Sequence, residues 1–220
     1  MIKLRYIFVL CLLSFSAAVF TPLKAQEAQN NPYADNKLFH MGFQLGLNVC
    51  SFDRRDGEAA VVPAPGVGFH VAFVTDLRLC KYLNLRFTPG MEFKYRDLDA
   101  NISNKSVFAI PLNIPLYLKF SAERLGNFRP YVIGGGGISI DWNSTEIIKK
   151  EGVNRPPVGL RWLDYFCEVG FGCDIYFPWF KLCPEITYRI GFADQFDPKG
   201  STVSPIPLYN QAICITFNFE

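Results

Sequence analysis

Acidic and basic side chains recur at alternate positions inside stretches that are otherwise strongly apolar. The acids are Asp76, Glu92, Asp141, Asp164, Glu168, Asp174 and Glu185, and the bases Arg78, Arg86, Lys94, Arg96, Lys119, Arg129, Lys181 and Arg189. Carboxylates in such numbers could do general acid and base work or line a polar path for a small solute. The near balance of signs points instead to paired charges packed into a narrow space, since an unpaired buried charge is very costly.

The other reactive residue types narrow the chemistry further. His40 and His70 fall at different ends of their segments, too far apart to act as a pair, and no Ser/His/Asp order accompanies them. Cys50, Cys80, Cys167, Cys173, Cys183 and Cys214 include no CxxC and no Cys/His cluster, so neither a zinc site nor a redox pair is indicated, and no disulfide is assigned. The run Gly134 to Gly137 lacks the GK[ST] and the following helix of a phosphate loop; a crowded sheet wall explains it better. No enzyme activity, cofactor or metal is expected.

These charges are positioned by strands. In "LNLRFTPGMEFKYR" the odd positions Leu83, Leu85, Phe87, Pro89, Met91, Phe93 and Tyr95 are mostly large and apolar, while Asn84, Arg86, Thr88, Gly90, Glu92, Lys94 and Arg96 occupy the even ones. A two-residue period is the signature of a strand. The same alternation runs through "LFHMGFQLGLNV", "PGVGFHVAFVTDLRL", "SVFAIPLNIPLYLKF", "RPYVIGGGGISIDW", "LDYFCEVGFGCDIYF", "FKLCPEITYRIGF" and "YNQAICITFNFE", giving eight strands. Pro111 and Pro115 in the fourth predict a local bend or bulge, because each removes a ladder donor. Connections after strands two, four and six are brief. Those after one, three, five and seven are longer and polar, near residues 51 to 64, 97 to 105, 143 to 161 and 193 to 207.

Composition decides which face is outside. The chain is 50% hydrophobic with 21 Phe, and the large side chains of the apolar face cannot all fit inside an eight-stranded barrel, whose interior is only just filled by side chains. Turned outward, they meet lipid. The small and polar face, relieved by glycines, then fills the lumen. The strands are long enough to cross an apolar band, and Phe39, Phe93, Phe120, Trp142, Trp162, Trp179, Phe192 and Tyr209 fall near strand ends, where interfacial girdles belong. The expected fold is an all-β, eight-stranded antiparallel up-and-down transmembrane β-barrel of the bacterial outer membrane, with the longer loops on the exterior side. Its lumen network is expected to include Arg86, Glu92, Lys94, Arg96, Lys119, Arg129, Glu168, Asp174, Glu185 and Arg189. Phe217 and Phe219 end the terminal aromatic strand as its assembly signal.

Residues 1–25 read as a signal peptide: Lys3 and Arg5 precede a short apolar run and "LKAQ" offers a cleavage point after Ala25. Residues 26–37 form a polar periplasmic linker, and 38–220 the barrel. Loss of Lys3, Arg5 and Lys24 with the leader takes the 22 basic residues to 19, against 20 acidic ones. A nearly neutral chain offers no patch for nucleic acid. Outer-membrane lipid is the expected partner, and no small-molecule substrate is evident.

The strings "HMGFQLGLN", "NLRFTPGMEFKYRDLD", "IPLNIPLYLKFSAERLGNFRPYVIGGGG", "EVGFGCDIYFPWFKLCPEITYRIGF" and "TFNFE" carry a further signal. Over residues 39 to 220 the chain resembles the PorT/SprT family of Bacteroidetes outer-membrane proteins. That resemblance implies a part in type IX protein secretion, which exports proteases and adhesins and in some species supports gliding, with other secretion components as partners. It transfers no catalytic motif. The alternative is a small porin or adhesion barrel unconnected with secretion.

Overall fold

A computed structural model of the chain describes residues 30–32, 35, 37–54, 61–63, 65–100, 103–142, 144, 160–197 and 208–220. The signal peptide and part of the linker lie outside the described residues. The β segments are β1 (Phe39–Arg54), β2 (Val61–Pro63), β3 (Gly66–Arg78), β4 (Leu83–Phe87), β5 (Gly90–Ala100), β6 (Ser103–Ala109), β7 (Pro111–Ser121), β8 (Phe128–Asp141), β9 (Leu163–Tyr176), β10 (Lys181–Gly191) and β11 (Leu208–Phe219). With β2 extending β3, β5 extending β4 and β7 extending β6, they make eight staves, each antiparallel to the next. Twelve register pairs, from Phe43↔Phe219 to Arg54↔Leu208, join the first stave to the last. The sheet is therefore a closed barrel, whose strand backbones find partners all the way round.

The interruptions within staves fall at prolines. β4 and β5 part at Thr88 and Pro89, and β6 and β7 part at Ile110, just before Pro111. Pairing holds one alignment across both gaps: Thr75↔Phe87 continues as Ala72↔Gly90, and Lys94↔Ala109 continues as Met91↔Leu112. Each proline removes a donor without inserting a residue, so of the bend or bulge expected in the fourth strand no bulge is present.

Alternation sets the two faces. Met41, Phe43, Leu45, Leu47 and Val49 point out of β1 while Gln44, Asn48 and Cys50 are buried; Leu116, Leu118 and Phe120 point out of β7 while Asn113, Tyr117 and Lys119 are buried. The exposed face is the apolar one and the enclosed face the polar one, the reverse of a water-soluble barrel. Outside, at the short-turn end, stacked rings link Phe177 to Phe180 at 4.8 Å, Phe180 to Phe219 at 6.4 Å and Phe219 to Phe43 at 4.8 Å. Phe219 thus joins the rings of β1 and β10 across the seam, and Phe217 stands opposite Leu45 and Pro184.

The long third connection expected from the sequence is shorter in the structure. β5 runs to Ala100 and β6 starts at Ser103, with Ala100↔Ser103 the last pair. The apolar period ends near Tyr95, but backbone pairing does not need it: beyond the apolar band the ladder continues on its own hydrogen bonds.

Candidate functional site

Inward positions from facing staves bring their charged side chains together in the lumen as two connected clusters. The first lies toward the short turns. Arg86, on β4, forks onto Asp76 of β3, with Nε to Oδ1 at 2.7 Å and Nη2 to Oδ2 at 2.9 Å. The same guanidinium reaches Glu185 at 3.1 Å and Glu220 at 2.7 Å. Lys119 donates to both oxygens of Asp174, at 2.7 and 2.9 Å, and Lys181 holds the other oxygen of Glu220 at 2.5 Å. Tyr131 donates to Glu185 at 2.8 Å, and its ring lies 4.0 Å beneath the Lys119 ammonium.

The second cluster lies nearer the loops and centres on Glu92. Asn48 donates to Glu92 at 2.7 Å, Asn113 at 2.9 Å and Arg189 at 2.9 Å, with Lys94 at 3.4 Å. Arg189 also binds Glu168, which accepts from the Tyr117 hydroxyl as well. His70 Nδ1 lies 2.8 Å from the Asn48 amide oxygen; with the Asn48 amide nitrogen donating to Glu92, this fixes the proton on Nδ1. Near the loop end Asn210 donates to Asp164 at 3.3 Å.

Glycines make the crossing contacts possible. Gly135 faces inward under Tyr117, and a Cβ there would stand 2.2 Å from the Leu116 carbonyl oxygen and 2.7 Å from the Tyr117 Cα. A bare position lets the Tyr117 ring lie against β8 and reach Glu168. The "GGGG" stretch thus admits large polar side chains from its neighbours.

Of the residues the sequence singles out, Arg86, Glu92, Lys94, Lys119, Glu168, Asp174, Glu185 and Arg189 meet in these two clusters. The Arg96 side chain lies outside the described residues. Arg129 stands apart from them: it sits at the short-turn rim, donating to the carbonyls of Ala122 and Lys81 and pairing with Asp35 at 3.1 Å. Arg78 likewise reaches Asp35 at that rim. Sequence reasoning missed Glu220, although parity points to it: with Phe217 and Phe219 outward, Asn218 and Glu220 must face in. It also missed Tyr117 and Tyr131 as network members: parity places both inward, but nothing in an aromatic ring's spacing marks its hydroxyl as a carboxylate partner.

Among the described residues the space beside these clusters is small. One void, between Gln44, His70, Asn113 and Arg189, measures about 30 Å³, and another, beside Asp164 and Asn210, about 10 Å³. These have room for about one or two waters. Among the described residues the cysteines form no disulfide, and Cys50, Cys183 and Cys214 are buried in the wall's inner face. Among the described residues no group of His, Cys, Asp and Glu is arranged to hold a metal ion, and no helix is long and apolar enough to cross a membrane. What the arrangement does chemically is neutralise charge across the barrel and fill it.

A family model described as an outer membrane protein β-barrel domain matches residues 25–197. The curated proteins give no match. Among solved structures the chain is similar to the outer membrane protein OprG from Pseudomonas aeruginosa, at 9% identity over 82% of this chain and 93% of that one, with a TM-score of 0.49. It is similar to Neisserial surface protein A at 9% identity, covering 83% and 98% of the two chains with a TM-score of 0.45. The AlkL outer membrane protein in lipid bilayers is 11% identical over 91% and 92%, with a TM-score of 0.39.

Proposed function

This chain belongs to the outer membrane protein β-barrel domain family, and from that premise we propose that it serves type IX protein secretion as an assembly or scaffold component and not as the conduit. Its place in the bacterial outer membrane follows from the family and from the inside-out barrel. The observation that carries the proposal is the filled lumen: ion pairs bridge it at two levels, and the void beside them has room for about one or two waters. No folded cargo passes such a wall, and eight staves cannot widen without breaking their ladder. The barrel therefore acts through its loops, its apolar outer wall and its short-turn end.

The link to secretion in particular rests on the resemblance of residues 39–220 to the PorT/SprT family, carried by "NLRF.PG", "NFRPYV.GG", "EVGFG.D.Y" and "F..CPE", where dots mark any residue. A porin role, the principal alternative, is disfavoured by the same filled lumen. Deleting the gene and following type IX cargo tests the assignment. Cargo held in the periplasm of the deletion strain and released again on complementation is the expected result; normal export would remove the secretion role.

A further inference from the structure

At the short-turn end, residues upstream of β1 lie over the barrel mouth. The Leu38 carbonyl, just before β1, accepts from the Arg78 amide at 2.8 Å, and Asn30 and Asn31 lie on the opposite side of the ring, against the β7–β8 turn and the end of β9. There the Asn30 amide donates to Asn127 at 2.8 Å, and the Asn30 side chain donates to the Tyr176 carbonyl at 3.2 Å. Arg124 donates to the carbonyls of Asn30 and Asn31 while its guanidinium lies 3.7 Å over the Tyr176 ring. Asp35 is the focus: its carboxylate accepts from Arg129 at 3.1 Å, from the Tyr176 hydroxyl at 2.5 Å and from Arg124 at 3.5 Å, and its carbonyl accepts from Arg78.

Two features separate this contact from the lumen network. The first is charge. Two guanidinium groups, Arg124 and Arg129, meet the Asp35 carboxylate and a third, Arg78, meets its main-chain carbonyl, while neighbouring Glu123 is engaged by Lys81 at 2.9 Å. The second is depth. The Asp35 side chain is 28% exposed, against 5% or less for the lumen carboxylates, and the strap is held by polar contacts, to its main chain as much as to its side chains. Partly exposed ion pairs and main-chain contacts at the rim open at lower free energy than the enclosed pairs of the lumen. Opening leaves a cationic, aromatic-floored mouth that recognises main-chain carbonyls and one acid.

We propose that this mouth is a binding site for an extended, carboxylate-bearing peptide, that Asn30, Asn31 and Asp35 are its built-in occupants, and that a segment of a periplasmic protein with the same chemistry exchanges with them. Arg124 reads the peptide main chain. Arg129, Arg124 and Tyr176 read the acid, and the short-turn end faces the periplasm, where such a segment is available. The inference does not depend on the secretion role.

The probe is a dye-labelled synthetic peptide, QEAQNNPYADNKL (residues 26–38), titrated into the full mature barrel in lipid nanodiscs and followed by anisotropy. A barrel carrying Asp35→Ala, whose own strap is loosened, binds it saturably, and the wild-type barrel binds it about tenfold more weakly because its strap competes. A peptide with Asp35→Asn loses about tenfold in affinity for the same barrel, and adding Arg124→Gln to the barrel does the same. The peptide substitution leaves the barrel untouched, so a misfolded variant cannot mimic the result. Absence of saturable binding to the Asp35→Ala barrel, or equal affinity for the Asp and Asn peptides, overturns the proposal.

Discussion

Arg86 and Glu220 meet at 2.7 Å across the barrel, one on the third stave and the other just past the last. Because Lys181 holds the second oxygen of Glu220, the carboxylate ties β11 to both β4 and β10, and the triad forms only when the barrel is closed. Arg86 is also the common partner of Asp76 and Glu185. Replacing it with Met leaves three enclosed carboxylates short of a cation. Removing one partner of a buried pair costs about 3–5 kcal/mol, so Arg86→Met should lower the unfolding midpoint in urea strongly. Glu220→Gln keeps a polar group at the site and should lower it less.

The glycine stretch of β8 gives a sharper packing test. A Cβ on Gly135 would collide with backbone of β7, which has no room to move inside a paired ladder, whereas a Cβ on Gly134 finds its nearest atoms at 3.9 Å. Gly135→Ala should reduce the heat-modifiable folded band on gels by an amount equivalent to about 1–3 kcal/mol. Gly134→Ala should fold as the parent does, within about 1 kcal/mol.

The assignment of faces predicts an asymmetry at Leu116, which points outward from the middle of β7. Leu116→Arg places a charge against lipid at a cost of about 2–4 kcal/mol, and Leu116→Phe does not. Refolding yield into lipid vesicles should fall for the first and hold for the second.

Filling of the lumen predicts electrical silence. The purified barrel in planar bilayers should show no large stable open level, because the voids beside its ion pairs have room for only about one or two waters. Arg189→Ala removes the cation shared by Glu92 and Glu168 and should be the variant in which brief openings appear. A large stable conductance in the wild type would defeat the plugged-lumen mechanism.

At the short turns, the Lys81 ammonium and the Tyr82 hydroxyl both donate to Glu123 at 2.9 Å, holding its carboxyl below the usual glutamate value and raising Lys81 above the usual lysine value. A depressed folded value means that the clasp is fully present above about pH 4.3 and is lost as pH falls through the depressed value. The Glu123 carboxyl resonance should therefore titrate below an ordinary glutamate, and Lys81→Met should move its midpoint back up.

What the sequence determined by itself was everything that follows from the period of two. Successive side chains on a strand point to opposite faces, so parity alone separated Phe43 from Gln44 and Leu116 from Tyr117. The mismatch between large apolar side chains and a narrow interior turned the barrel inside out. Most of the network residues were legible for the same reason. Their partners were not. Which acid Arg86 meets depends on the stagger of strands 99 residues apart for Glu185 and 134 for Glu220, and no local pattern encodes that distance. Parity also overreached at Arg129, which has an inward position but lies at the rim, where the Asp35 strap and the turn carbonyls claim it. The strap itself reads as a polar linker because its hold on the barrel is made by main-chain groups, the Asn30 side chain and a single carboxylate, groups that carry no period. Closure by tertiary structure brings those groups over the mouth and makes a site of them.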